Sequence, residues 1–242
     1  MPFRLVLGLY RFLLPLLLLI AMPGWLIRMA RRGGFGSGLR ERFSIYTLPD
    51  EEEPCGQVHL HSVSVGETMI ALKLLRAWQA REPGKRFVHA VGTATGHAVA
   101  MEAALPGVRV TYAPFDLQIC VKRYLDRFEP SRIVLVEGEA WPHLLLGCRK
   151  RGVPVALVNA RLSPRSERRY RKVASCVRPI FGMLDAVAAQ EPGDVARWEA
   201  LGVAREKITV TGSSKFDPGA ATLPAKRPEF GEVAREFSED PT

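Results

Sequence analysis

Between Val58 and Thr68 the chain changes its periodicity, and that change constrains the fold more than any other feature. Val58-His59-Leu60-His61-Ser62-Val63-Ser64-Val65 is an extended run of apolar and small residues that breaks at Gly66. Met69, Ile70, Leu72, Leu74, Leu75 and Trp78 then recur at helical spacing. A strand that feeds a helix through a small-residue turn places that turn at the carboxyl edge of a sheet, where open α/β folds hold their ligands. Glu67 would fall in the first helical turn, where the helix dipole keeps a carboxylate ionised. Such a fixed carboxylate suits a general base. An acid at this position also serves simply to complement the dipole.

The same switch recurs downstream. Residues 86–91, 108–112, 132–136, 153–158, 186–189 and 208–210 read as strands. A short helix ends at Ala104, and 117–128, 141–151, 168–183 and 195–201 read as helices, the first with Ile119, Cys120, Tyr124, Leu125 and Phe128 as its apolar face. Repeated strand–helix units predict a Rossmann-like parallel sheet with helices on both faces. Polar residues collect where the strands end. These are Glu137-Gly138-Glu139-Ala140-Trp141-Pro142-His143, Asn159-Ala160-Arg161-Leu162-Ser163 and Gly212-Ser213-Ser214-Lys215-Phe216-Asp217. The sheet would bring them to one rim. Taken singly, each has a structural explanation: Trp141-Pro142 starts a helix, Asn159 makes a turn, and Lys215 is a surface charge.

The N-terminus adds a membrane element. Residues 12–27 carry no charge, and with Leu5 to Tyr10 and Arg11 the apolar stretch reaches the ~20 residues that a spanning helix needs. Pro15 and Pro23 are expected to kink it. Arg28, Arg31, Arg32, Arg40 and Arg42 follow it, which by the positive-inside rule puts the body in the cytoplasm. The arginine-rich flank and the lack of an A-x-A-like site disfavour a cleaved signal peptide. Residues 1–32 are therefore expected to be a retained anchor, spanning or monotopic. Residues 33–54, with Gly33, Gly34, Gly36 and Gly38 and an acidic loop at 48–54, read as a linker; the body runs from 55 to 220 and a tail from 221 to 242.

A chain of 242 residues with 47% hydrophobic and 24% charged residues can build a substantial core, which excludes a disordered protein. Its net charge of +9 points to acidic partners. Much of the excess lies at Arg149, Lys150, Arg151, Arg161, Arg165, Arg168, Arg169, Arg171 and Lys172, relieved only by Glu167. Beside an anchor, such a cluster is expected to face an anionic membrane surface. Nucleic acid is disfavoured, because no aromatic platform or helix-turn-helix pattern accompanies the charge. Cys55, Cys120, Cys148 and Cys176 have no metal-ligand spacing and read as reduced and structural. The glycines at 33–38 follow no strand, so a dinucleotide fingerprint is not expected there.

His61-Ser62-Val63-Ser64-Val65-Gly66-Glu67-Thr68 resembles the signature near the start of the 3-deoxy-D-manno-octulosonic acid (Kdo) transferases. The resemblance recurs in order: Ala113-Pro114-Phe115-Asp116-Leu117 is similar to the family's P-Y-D-L, Glu137-Gly138-Glu139-Ala140-Trp141-Pro142 to E-T-E-L-W-P-N, Asn159-Ala160-Arg161-Leu162-Ser163 to N-A-R-L-S, and Gly212-Ser213-Ser214-Lys215-Phe216-Asp217 to G-S-L-K-F-D. Gly138, Ala140, His143 and Ser214 depart from the usual residues.

The resemblance implies the amino-terminal, acceptor-binding half of a two-domain GT-B glycosyltransferase. Such an enzyme moves Kdo from CMP-Kdo to a lipid A precursor of lipopolysaccharide, without a metal or other cofactor. It also implies Glu67 as the base, Glu137 and Lys215 as transition-state stabilisers, and His61, Ser64, Gly66, Glu139, Asn159, Arg161 and Ser163 as acceptor-binding residues. The donor domain, which holds CMP, is expected to lie outside these residues, supplied elsewhere if the chain is catalytic. A non-catalytic, membrane-tethered module that binds lipid A or anionic lipid is the alternative. The expected location is the cytoplasmic face of the inner membrane.

Overall fold

The computed structural model describes residues 3–32, 37–46, 56–138 and 140–213. Its centre is a sheet of parallel strands: β1 (Val58–Ser62), β2 (Phe87–Val91), β3 (Val108–Tyr112), β4 (Arg132–Val136), β5 (Val155–Ala160), β6 (Ala186–Ala189) and β7 (Ile208–Val210). The strand order is β3-β2-β1-β4-β5-β6-β7. From β1 the chain steps outward to β3, returns to the centre at β4, and steps outward the other way. The reversal between β1 and β4 opens a crevice at their carboxyl ends. β1 and β2 are buried at every position, as a parallel sheet covered on both faces requires.

One face is covered by α3 (Val65–Arg81) and α4 (Ala94–Glu102), with Ile70, Leu72 and Leu75 packed over Leu60, Phe87, Val134 and Val136. A second, larger cluster gathers Val88, Ile133, Leu135, Leu157 and Val187 under α5 (Gln118–Phe128), α6 (Pro142–Arg151), α8 (Ala174–Phe181) and α9 (Pro192–Ala200). α5 buries Cys120, Val121, Tyr124, Leu125 and Phe128. Ile119, expected on that face, is instead exposed, because it stands a full helical step from Cys120. α5 and α6 meet closely at Gly147, where a Cβ would stand 2.8 Å from Leu125 Cδ1 and 3.1 Å from Val121 Cγ1. Gly147→Val should therefore cost about 1–3 kcal/mol through overpacking. A lowered denaturation midpoint at unchanged slope checks this.

The single helix expected over 168–183 is two: α7 (Pro164–Lys172) and α8, interrupted at Val173. The break lets Tyr170 and Phe181 meet edge to face at 5.5 Å, which a continuous helix would not arrange. Cys120, Cys148 and Cys176 are free thiols, while Cys55 lies outside the described residues.

The N-terminal helix α1 (Phe3–Arg32) stays helical through Pro15 and Pro23. Within it, Phe3–Gly24 is long and apolar enough to cross a membrane, and Phe12, Leu16, Leu17, Leu19 and Ile20 are exposed.

The expected linker is corrected in part. A helix, α2 (Ser37–Arg42), lies inside it and docks on β3. The Glu41 carboxylate accepts the Tyr112 N–H (2.9 Å) and the Thr111 hydroxyl (3.0 Å). The buried Arg42 guanidinium lies 4.3 Å over the Tyr112 ring and donates to the Gly92 carbonyl. Phe43 packs edge-on against Phe115. Glycine content suggested a flexible segment, yet the charged pair within it finds partners on the sheet and fixes it. The acidic loop at 48–54 lies outside the described residues.

Candidate functional site

Val63 and Ser64 turn the chain from β1 into α3. The Ser64 Oγ accepts the Glu67 N–H (3.3 Å), closing the first turn of the helix. Glu67 answers with its carboxylate: Oε1 accepts the Ser64 hydroxyl (3.0 Å) and Oε2 accepts the Val63 N–H (2.7 Å). Ser-Val-Gly-Glu thus forms a capping box, its acid reaching back to the residue before the cap. The turn is held from its neighbour as well. Thr93 Oγ1 donates to the Val63 carbonyl (2.7 Å) and Thr68 Oγ1 to the Ser64 carbonyl (2.9 Å). Gly96 is required beside them, since a Cβ there would stand 2.8 Å from Thr68 Oγ1.

Glu67 is consequently fixed and only 8% exposed. Burial raises its carboxyl above the ordinary glutamate range; the Val63 N–H and the Ser64 hydroxyl oppose that, and the nearby negative charge of Glu137 adds to it. Glu137 reaches the same crevice from the end of β4. Its backbone lies in the left-handed region (φ 65°), as does that of Asn159 (φ 51°) at the end of β5. Asparagine tolerates that conformation; for glutamate it costs roughly 1–2 kcal/mol, held here by the structure around it. The Glu137 N–H bonds to the Val158 carbonyl (2.9 Å). The Asn159 amide reaches Glu137 Oε1 at 3.4 Å, and Gln190 Nε2 donates to the Asn159 carbonyl (2.8 Å). Two carboxylates therefore flank the strand-order reversal, one from each half of the sheet.

The other expected residues divide. Ser64 and Gly66 are exposed on the turn, and Arg161 is exposed just past β5. Asn159 is buried against Glu137. Ser163 caps α7, its Oγ accepting the Ser166 N–H (3.1 Å). His61 is 5% exposed and is the last residue but one of β1. Strand alternation sends it, like His59, to the face covered by α5, where His59 Nδ1 meets the Tyr124 hydroxyl at 2.6 Å. Burial lowers the His61 pKa to about 4, so the ring is neutral. Glu139 and Lys215 lie outside the described residues. Among those residues no group of His, Cys, Asp or Glu is placed to hold a metal ion.

Asp116 also takes part in holding the site. Its Oδ1 accepts the Leu144 N–H (2.8 Å), and its Oδ2 accepts the His143 N–H (2.9 Å) and the Tyr10 hydroxyl (2.8 Å). It thereby caps α6, whose own N-cap, Trp141, offers no side-chain bond. The segment it holds follows directly on Glu137. The signal was an acid inside the apolar turn Ala113-Pro114-Phe115-Asp116-Leu117.

Residues 37–218 match the family model described as 3-deoxy-D-manno-octulosonic-acid transferase (kdotransferase). The chain is similar to the 3-deoxy-D-manno-octulosonic acid transferase of Haemophilus influenzae, with 30% identity over 212 residues covering 86% of this chain and 49% of that protein. To the enzyme of the same name from Bordetella pertussis it is 34% identical over 198 residues, 80% of this chain and 46% of that one. The chain thus spans about half the length of the curated relatives it matches. Its fold is shared by the S. aureus MnaA–UDP co-structure (TM-score 0.54, 12% identity, 76% of this chain and 52% of that one). The UDP-GlcNAc 2-epimerase of Neisseria meningitidis bound to UDP-GlcNAc is similar to the same extent in coverage, with TM-score 0.51 and 12% identity. These likenesses give the architecture alone: the Rossmann-like half of a GT-B fold.

Proposed function

The chain belongs to the 3-deoxy-D-manno-octulosonic acid transferase family, and from that premise we propose that it is the acceptor-binding half of a transferase that moves Kdo from CMP-Kdo to a lipid A precursor. The observation that carries this reading is the fixed, buried Glu67 carboxylate, raised in pKa and facing Glu137 across the reversal in strand order. A glucosamine hydroxyl of the acceptor attacks the anomeric carbon of Kdo and inverts it. Its proton passes to Glu67 as the new C–O bond forms. The old bond to phosphate breaks, and CMP leaves with the electron pair. Glu137 and Lys215 have the charges to stabilise, respectively, positive charge on the sugar and negative charge on the departing phosphate. Ser64, Gly66, Glu139, Asn159, Arg161 and Ser163 are the proposed acceptor contacts, and no cofactor forms part of the reaction. Protein expressed from its full reading frame, given labelled CMP-Kdo and an acylated glucosamine disaccharide phosphate, should yield labelled lipid. No transfer by a folded, membrane-bound protein that still binds this acceptor would favour the non-catalytic lipid-binding module instead.

The membrane is the second proposed partner. α1 supplies the anchor, and Arg165, Arg168, Arg169, Arg171 and Lys172 are exposed on α7. In this reading the body lies at the cytoplasmic face of the inner membrane, where headgroups attract such residues by about 1 kcal/mol each. Binding to anionic vesicles should weaken as salt rises. Changing Arg161, Arg165, Arg168 and Arg169 together to Gln should reduce it by tenfold or more. Equal binding to neutral and anionic vesicles would make α7 an ordinary solvated helix.

A further inference from the structure

A cavity of about 350 Å³ opens beside the rim, lined by Tyr10 of α1, Trp141 at the start of α6, Tyr170 of α7, and Val177, Ile180 and Phe181 of α8. Gly138, which follows Glu137 directly, forms part of its wall. Its volume falls within the range of small-molecule sites, and aromatic and aliphatic side chains dominate its lining. We propose that this cavity receives one acyl chain of the acceptor lipid, and so sets the height at which the sugar meets Glu67 and Glu137.

Two observations converge on that occupant. The cavity lies against α1, whose exposed apolar face is the part of the chain suited to lipid, so a hydrocarbon tail reaches it without crossing water. The helix that supplies Tyr170 also carries Arg165, Arg168 and Arg169, so an anionic headgroup is matched by charge beside the opening for its tail. A soluble sugar or nucleotide fits poorly, because the walls offer few polar partners. The Tyr10 hydroxyl is already given to Asp116, which leaves its ring to line the cavity.

The proposal rests on the transferase reading, and its test separates the two. The full chain in detergent is offered an acylated glucosamine disaccharide bisphosphate bearing a diazirine on one chain, and the same headgroup without chains. Irradiation should label peptides containing Trp141, Tyr170, Val177 or Ile180. Val177→Trp, which fills the cavity, should weaken binding of the acylated probe by about tenfold and leave the chain-free headgroup unaffected. Should Val177→Trp fail to fold, the labelling pattern of the unaltered protein decides. Labelling confined to the outer face of α1 at Leu16 and Ile20 would overturn the proposal while leaving the transferase reading in place. So would a diazirine-bearing phosphatidylglycerol that labels the cavity and is not displaced by the acceptor. If neither acylated nor chain-free disaccharide binds, the transferase reading falls and the acyl subsite with it.

Discussion

Glu67→Gln should lower Kdo transfer by about 10²–10⁴-fold, the usual worth of a general base, while the protein stays folded. The amide keeps an oxygen that can accept the Val63 N–H, so the capping turn survives when the base is gone. Acceptor affinity should be nearly unchanged, which places the loss in the chemical step rather than in binding. The pH profile of transfer by the unaltered protein gives an independent check. Because burial and Glu137 raise the Glu67 pKa, activity should fall on the acid side at a pH above the ordinary glutamate value of 4.5. That limb should vanish in Glu67→Gln. Full activity of the variant would remove Glu67 from the role of base; a parallel loss of thermal stability would reduce it to a cap.

A second large effect is expected on stability. His59, His61 and His89 are buried in β1 and β2, and burial lowers their pKa values from 6.5 to about 3, about 4 and about 3. A histidine whose folded pKa is depressed contributes stability above its unfolded pKa, and loses it as pH falls through 6.5 towards the folded value. Between pH 7.5 and 5.5 the unfolded chain takes up protons at all three rings while the folded chain takes up none. Each ring then costs on the order of 1 kcal/mol, a few kcal/mol together. Domain stabilities of ~5–15 kcal/mol make that a large fraction. The raised Glu67 carboxyl acts in the opposite sense, since it binds its proton more readily in the folded chain. Urea unfolding at the two pH values measures the difference, and equal midpoints would mean that the rings are solvated.

Much of this was legible from residue order. Strands at 108–112, 132–136, 186–189 and 208–210 have the expected ends, since apolar runs between turn residues specify buried parallel strands. The placement of Glu67 in the first turn of α3 followed from Gly66 and the change of period. What escaped depends on contacts between distant segments. Nothing in the glycine-rich segment before Arg42 tells that Glu41 will cap the edge-strand amide of Tyr112. The family resemblance implied His61 as an acceptor contact, while side-chain alternation turns it to a buried face of the sheet. Asp116 resembled an ordinary turn acid, and its worth comes from the α6 amides and Tyr10. Glu137 takes a left-handed backbone that the residue type disfavours, so only the folded neighbourhood accounts for it.

The bonds made by the first part of the chain also set an order for its assembly during synthesis. Tyr10 finds Asp116 across 106 positions, and Glu41 finds Thr111 and Tyr112 across 70 and 71. At about 5–20 residues per second, the ribosome takes roughly 5–20 s to deliver Asp116 after Tyr10. Throughout that interval α1 has its apolar surface and no body to rest on, and under the proposed anchoring a bilayer is the partner that covers it. The domain would then assemble onto a helix already seated in lipid.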